Sequence, residues 1–249
     1  MRLRVAILLV LSHFSCCLPG SDLAAALIFS DDFNSGASSH WGNQAGNWTA
    51  TGGVYSTGSP ANWPSSRSVL PFVVSDFVLE VDVNDIADGG IWLRGSDDGL
   101  NGVLLVTGGH GWGFNSFPPG SGTALYWHRI VNGVAFPIEN AVNFLFTPEV
   151  SDARIRVEVS GDTYKAFLNG SNTPTTVLTT NLFSSGKVGL YDFSVQTFDN
   201  FVLSDNSPVP EPASLALCAV GALGLVFGGF RRHRRAEVRP LSSRSLRMP

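Results

Sequence analysis

Apolar and polar side chains alternate along most of the middle of the chain. Clusters of Gly, Pro, Asn, Asp and Ser interrupt this two-residue period, and no stretch of ten or more residues there repeats apolar side chains at helical spacing. Many short strands separated by turns are typical of β-sandwiches and barrels. The pattern predicts an all-β domain with strands over residues 76–83, 89–95, 101–109, 123–131, 153–160, 163–170, 186–193 and 197–204.

One hairpin is predicted in detail, over residues 153–170. Gly161 and Asp162 form a two-residue connection of the kind that tolerates positive φ. On both strands of the hairpin, alternate residues would face a core, whereas the residues between them are charged except for the aromatic Phe167. The core-facing set is Ile155, Val157, Val159, Tyr164, Ala166 and Leu168.

The first 26 residues have the order of a secretory signal peptide. Arg2 and Arg4 precede the apolar run 5–11, and Ala24–Ala26 provide small residues for a signal peptidase. The apolar run is too short to span a bilayer. We expect cleavage after Ala26. Acylation of Cys16 or Cys17, as in a lipoprotein, is the alternative.

The C-terminal part contains an uncharged segment that could span a membrane. Residues 213–230 lack charge and would extend about 27 Å as a helix. Arginines follow the segment directly and predict a cytoplasmic C-terminus, with residues 236–249 as a short basic tail and residues 27–207 on the opposite side of the membrane. These arginines are Arg231, Arg232, Arg234 and Arg235.

Charge and cysteine content restrict the partners of residues 27–207. From residue 27 to residue 210 there are 17 Asp and Glu side chains against 7 Lys and Arg. Nucleic-acid binding requires a clustered basic surface, so we exclude it for this domain. The three cysteines are Cys16, Cys17 and Cys218. The mature domain therefore has neither thiolate chemistry nor cysteine metal sites.

The segment "VPEP" followed by an apolar span and an arginine cluster resembles the PEP-CTERM sorting signal of Gram-negative bacteria. The resemblance covers residues 208–235. It implies that an exosortase recognises Pro210, Glu211 and Pro212, cleaves the membrane precursor, and transfers the protein to the cell surface or the exopolysaccharide matrix. The alternative is a plain single-span membrane anchor.

The motifs "FSDDFN", "GNWTATGGVYS", "DFVLEVDV", "GGIWLR", "FLNG", "GKVGLYDF" and "FDNFVLS" occur in that order. Together they resemble the concanavalin A-like lectin/glucanase superfamily, especially its laminin-G-like and 3-keto-disaccharide-hydrolase-like branch. The resemblance covers residues 28–204. It implies a jelly-roll of two antiparallel sheets, one concave, in which residues 29–33 pair with residues 198–202.

Three carboxylates are candidates for catalysis. Glu80 and Asp82 would share one face of a strand, and two carboxylates flanking one bond suit retaining glycoside hydrolysis. The laminarinase-type hydrolases of the superfamily carry a third acid, where this chain has the shorter Asp85. The alternative is an ordinary polar outer face. The strand 101–109 also lacks the acid found in the 3-keto-disaccharide-hydrolase-like branch.

Aromatic and planar polar side chains are candidates for glycan binding, because sugar rings stack on indoles and their hydroxyls bind planar polar groups. For Arg94 the alternative is a structural hydrogen-bond donor at a strand end. For the indoles the alternative is burial, since Trp is usually buried. The candidate ligand-binding residues are Trp92, Arg94, Trp112, Trp127 and His128.

Structural calcium is the one cofactor considered. Asp32 and Asp199 lie near the paired terminal strands, together with Asp31 and Asn200, and hard oxygen ligands suit Ca²⁺. Turn-capping by these residues is the alternative. We predict no zinc site, phosphate-binding loop or nucleophile elbow.

Three functions are compatible with these features. The favoured one is an exported, non-enzymatic surface protein that binds glycan or another surface partner. The second is a glycoside hydrolase that uses Glu80 and Asp82. The third is a structural coat protein.

Overall fold

The computed structural model describes residues 25–62, 66–109 and 123–206. The described residues contain fifteen strands joined by loops, which confirms the all-β prediction. The strands are β1 Leu27–Asp31, β2 Trp48–Thr51, β3 Val54–Thr57, β4 Ser66–Val74, β5 Phe77–Asn84, β6 Asp88–Gly95, β7 Gly102–Gly108, β8 Ala124–Val131, β9 Val134–Ala135, β10 Glu139–Val142, β11 Ala153–Ser160, β12 Thr163–Leu168, β13 Thr176–Thr179, β14 Gly186–Asp192 and β15 Thr197–Asp205.

The strands form two antiparallel sheets. Sheet A has the order β13-β12-β11-β5-β15-β3-β2, and β1 also pairs with β15. Sheet B has the order β10-β8-β7-β6-β14-β4, and β9 also pairs with β8. This arrangement confirms the predicted two-sheet antiparallel sandwich.

The first and last strands pair, but in a different register from the predicted one. Asp31, the last residue of β1, lies opposite Phe201 of β15. The carboxylate of Asp31 ends the strand, because it accepts hydrogen bonds from the backbone N–H of Phe33 and of Ser38 and from Nε1 of Trp41. The chain then turns at Phe33, which has φ 53°.

The core lies between the sheets and is built by alternation. In β5 the side chains of Phe77, Leu79, Val81 and Val83 are fully buried, whereas the residues between them are half-exposed. Each such side chain stabilises the fold by about 1.5–3 kcal/mol. The predicted hairpin is confirmed, with Ser160 opposite Thr163 across the Gly161-Asp162 turn.

Several sequence-based predictions fall outside the described residues. They include the signal peptide through residue 24, Trp112, the sorting motif with its arginines, the span 213–230 and the tail 236–249. Within residues 25–62, 66–109 and 123–206, no helix has the length and apolarity needed to cross a membrane.

Candidate functional site

The outer face of sheet B carries a second apolar cluster, separate from the core. Outer faces of antiparallel sheets are commonly polar, so a cluster with three aromatic rings is a departure from the simple sandwich pattern. Its members alternate along β6, β7, β8 and β14 with side chains that face the core. We call the set the outer cluster: Trp92, Leu104, Val106, Ala124, Tyr126, Ile130 and Tyr191.

Trp92 packs closely against the backbone of sheet B. A Cβ atom on Gly102 would come within 3.3 Å of the Trp92 ring, and one on Gly95 would come within 3.6 Å. Gly102 therefore makes room for the indole, whereas a Cβ atom on Gly95 would only be in ordinary van der Waals contact with it. Nε1 of Trp92 is buried and has no hydrogen-bond partner among the described residues. Buried donors are nearly always paired, so this N–H is an exception within the outer cluster.

His128 of β8 lies on the same face of sheet B as Trp92. Leu104 of β7 pairs with Trp92 on one side and with His128 on the other. Nδ1 of His128 is 2.7 Å from the carbonyl oxygen of Phe136. Since a carbonyl only accepts, Nδ1 carries the proton, and Nε2 is the acceptor of the neutral ring. Burial lowers the pKa of His128, against the opposing effects of the Phe136 carbonyl and Glu139. The ring is therefore neutral near pH 7.

Trp127 points to the opposite side of β8, into the core. Its side chain is fully buried, and Nε1 donates to Oγ1 of Thr176 at 3.1 Å. The reason is alternation along β8, where Tyr126 and His128 occupy the outer face. Trp127 therefore does not lie on the face that carries Trp92 and His128.

Arg94 is also separate from the outer cluster. It has φ 47° at the end of β6, and its guanidinium is buried. Carbonyl oxygens of Ser75, Gly161 and Phe183 accept its hydrogen bonds at 2.6–2.9 Å. The hydroxyl of Tyr164 lies 3.2 Å from Nη1. Arg94 thus joins three loops at one end of the sandwich and corresponds to the structural alternative.

Four residues lie at one edge of the outer cluster, and we call them the rim: the buried cluster member Tyr191 and the more exposed Asn62, Asp88 and Phe193. The hydroxyl of Tyr191 donates to Oδ1 of Asn62 at 3.0 Å. The backbone N–H of Phe193 donates to the carbonyl oxygen of Asp88 at 2.9 Å. The Phe193 ring is 40 % exposed. The rim thus combines an accessible ring with an amide, a phenol and a carboxyl group.

The carboxyl group of Asp88 is half-buried and accepts no hydrogen bond from the described residues. Burial and, to a smaller extent, the nearby Asp192 together raise the pKa of Asp88 to about 7. Burial also raises the pKa of Asp192 to about 7, against hydrogen bonds from Ser194 and Phe193 that lower it. Both groups are therefore substantially protonated near neutral pH.

The rim is not predictable from local sequence patterns. Asp88 is the last residue of the turn-like "NDIAD" stretch, and Phe193 ends the motif "GKVGLYDF", which predicts only a strand. Asn62 and Tyr191 are far apart in the chain, so their contact has no local signal. One signal for a covered outer face is present in the sequence. In residues 101–109 the side chains of both faces are apolar, which indicates a strand that is covered on both sides.

Glu80 and Asp82 share the outer face of sheet A, as predicted from alternation, and both bind Arg154. Nη2 of Arg154 lies 2.8 Å from Oε2 of Glu80, and Nη1 lies 3.1 Å from Oδ1 of Asp82. Nδ2 of Asn200 donates to the other Asp82 oxygen at 2.9 Å. Asp85 lies beyond the end of β5 with φ 52°. A retaining hydrolase needs one protonated acid, whereas here one guanidinium pairs with both carboxylates.

The calcium candidates serve as caps in the described structure. Oδ1 of Asp32 accepts from the backbone N–H of Asn34, and Oδ1 of Asp199 accepts from that of Asn200. Asp31 and Asp32 line a cleft of about 560 Å³ beside Arg154, and Asp199 lines a second one of about 280 Å³. Across the described ranges, no three His, Cys, Asp or Glu side chains form a group that could hold a metal ion.

Comparison with known proteins identifies a PEP-CTERM protein-sorting motif at residues 208–235. This confirms the resemblance read from the "VPEP" segment. No curated protein matches the chain in sequence.

Solved structures share the sandwich architecture. The carbohydrate-binding module CBM66 from Bacillus subtilis is 19 % identical, with a TM-score of 0.55 over 67 % of this chain and 96 % of that one. The β-glucanase of Bacillus licheniformis is 16 % identical, with a TM-score of 0.45 over 72 % and 97 %. The exoplasmic/lumenal domain of VIP36, bound to Ca²⁺ and Man3GlcNAc, is 7 % identical, with a TM-score of 0.47 over 68 % and 85 %. The likeness to CBM66 confirms the jelly-roll fold.

Proposed function

We propose that this chain is an exported surface protein of a Gram-negative bacterium, and that its sandwich binds a glycan without catalysing a reaction on it. The rim is the observation that carries this proposal. An exposed Phe193 ring can stack on a sugar, while Asp88 and Asn62 beside it can bind hydroxyl groups. The outer cluster forms the apolar floor behind these groups.

The fold is consistent with this proposal. CBM66, which shares the architecture, is described as a carbohydrate-binding module. By contrast, Glu80 and Asp82 are engaged with Arg154 on the other sheet. The rim therefore supports binding more directly than the acid pair supports hydrolysis.

The sorting motif supports the proposed route of the protein. A signal peptidase removes residues 1–26, and residues 213–230 hold the precursor in the inner membrane with the sandwich on the periplasmic side. An exosortase then acts at Pro210, Glu211 and Pro212. The mature protein reaches the cell surface or the extracellular matrix.

A glycan array probed with the purified full-length protein in detergent tests the binding function. We expect binding to at least one polysaccharide. An array that includes the host's own exopolysaccharide and gives no signal would overturn the proposal and leave the structural coat protein as the remaining non-enzymatic function.

A further inference from the structure

The rim and the two chain ends of the sandwich lie at opposite ends of β15. The loop 193–196 comes directly before β15 and contacts the start of β6, because Oγ of Ser194 accepts a hydrogen bond from the backbone N–H of Asp88. At the other end of β15, the backbone N–H of Asp205 donates to the carbonyl oxygen of Ala26 at 2.8 Å. Residues 26 and 205 are therefore neighbours, and both lie away from the rim.

The direction and length of β15 set this separation. The strand pairs with β5 from Thr197, opposite Asn84, to Asp205, opposite Phe77. Its nine residues extend about 26 Å, since each step along a strand adds about 3.3 Å. The rim is therefore about one strand length from the point where the chain leaves the sandwich.

Hydrogen bonds fix this exit point. The backbone N–H of Asn206 donates to the carbonyl oxygen of Asp76 at 3.2 Å. The carbonyl oxygen of the preceding residue, Ser75, accepts two hydrogen bonds from the buried guanidinium of Arg94. The chain therefore leaves the sandwich at one defined place, beside the turn between β4 and β5.

Six residues separate the exit point from the uncharged segment 213–230. They are residues 207–212, and three of them are proline: Pro208, Pro210 and Pro212. A proline-rich chain rises about 3.1 Å per residue, so the seven steps from residue 206 to residue 213 cover about 22 Å. This distance is shorter than β15. The linker is therefore too short to bring the rim to a bilayer that holds residues 213–230.

On the basis of the glycan binding and the export route proposed above, we propose that the protein joins a polysaccharide to the surface that carries it. The glycan binds at the rim, and the anchor holds the opposite end of β15. Because the two attachments do not compete for space, the membrane precursor already binds glycan. Cleavage by the exosortase and transfer to a new acceptor preserve this arrangement, since the sandwich is still held by the same end.

The orientation is tested with two single-cysteine variants of the full-length protein in liposomes of phosphatidylethanolamine and phosphatidylglycerol. Val195→Cys places a fluorophore beside the rim, and Asp162→Cys places it in the exposed turn between β11 and β12, at the exit end. Cys16, Cys17 and Cys218 are replaced by serine in both variants. We expect stronger energy transfer to a lipid-headgroup acceptor from Asp162→Cys than from Val195→Cys. Equal transfer, or stronger transfer from Val195→Cys, would overturn the orientation whether or not a glycan binds.

The joining role is tested with the wild-type chain in liposomes that carry a fluorescent lipid, on beads coated with dextran, mannan, laminarin or alginate. We expect each bead type that retains the detergent-solubilised protein to retain the liposomes as well. Phe193→Ala should reduce liposome retention at least about tenfold, and Val195→Ala should leave it unchanged.

The outcomes separate this inference from the function on which it rests. Beads that retain the solubilised protein but not liposomes with outward-facing sandwiches, as identified by protease accessibility, would overturn the joining role and leave glycan binding intact. Failure of every bead type to retain the solubilised protein would instead contradict the proposed function itself.

Discussion

The guanidinium of Arg94 donates two hydrogen bonds to the carbonyl oxygen of Ser75, from Nε at 2.9 Å and from Nη2 at 2.6 Å. Nη1 of the same group donates to the carbonyl oxygens of Gly161 and Phe183. One buried cation thus satisfies carbonyl groups of the β4–β5 turn, the β11–β12 turn and the loop before β14. It holds together the end of the sandwich opposite the rim.

Replacing Arg94 should therefore destabilise the fold. Arg94→Met removes a charged donor and leaves buried carbonyl groups unpaired, so we expect a loss of at least about 3 kcal/mol in the free energy of unfolding. Urea denaturation measures this loss. Arg156→Met is the matched control, because Arg156 stacks on Phe167 at the surface of sheet A and is partly exposed. Equal losses in the two variants would contradict the structural role of Arg94.

Stability should decrease with rising pH because of Asp88 and Asp192. The folded state raises the pKa of each to about 7, while the unfolded chain releases these protons near pH 4. Between about pH 4 and pH 7 the folded state therefore holds more protons than the unfolded chain. The free energy of unfolding falls as the pH rises through this range. Above about pH 7 both carboxyl groups are ionised in the folded state, and the full loss of stability from burying these charges is present.

The double variant Asp88→Asn/Asp192→Asn isolates this effect from the other carboxylates. Its free energy of unfolding should rise relative to that of the wild type between pH 5 and pH 8, since the amides do not ionise. Denaturation at the two pH values measures the difference. A difference that stays constant, or shifts in favour of the wild type, would contradict the burial of these acids.

Glu80 should not support turnover. Because Arg154 binds both Glu80 and Asp82, neither is left to act as a free acid. We expect no hydrolysis of laminarin or of other glycans by the wild type, and no change in Glu80→Gln. Reducing-end release measures the rate. Turnover that disappears in Glu80→Gln would establish the hydrolase instead.

The sorting motif makes a prediction about location. Pro210→Ala combined with Glu211→Ala should prevent recognition by the exosortase and leave the protein in the inner membrane. Cell fractionation and mass spectrometry of the mature C-terminus measure this. Surface delivery that is unaltered in the double variant would contradict processing at this motif and favour a plain anchor.

Alternation was sufficient to predict the hairpin of β11 and β12 and the central strands of both sheets. It did not predict β4, where Pro71 interrupts the pattern, or the short strands β2, β3, β9, β10 and β13. In β6 to β8 nearly every side chain is buried. The two-residue alternation then assigns side chains to two faces but does not indicate which face forms the core. For this reason the core position of Trp127 and the outer position of Trp92 could not be distinguished.

The rim could not be predicted because its contacts are long-range. Tyr191 reaches Asn62 across 129 positions of the chain. The pKa of Asp88 depends on burial and on Asp192, which the fold brings to it. Conversely, Arg94 is a residue type that often binds ligands. Its guanidinium instead donates hydrogen bonds to carbonyl oxygens of three segments that are distant in the sequence. Residue type alone did not distinguish these environments.

The most direct test of the central claim compares two variants in the loop that follows β14. Phe193 and Val195 are both exposed apolar residues of this loop, 40 % and 61 % accessible, but only Phe193 belongs to the rim. The measurement is the dissociation constant of the full-length protein for the polysaccharide that it binds best. The account predicts at least about tenfold weaker binding for Phe193→Ala, which removes the stacking ring, and an unchanged value for Val195→Ala. Equal affinities of Phe193→Ala and the wild type would contradict glycan binding at the rim.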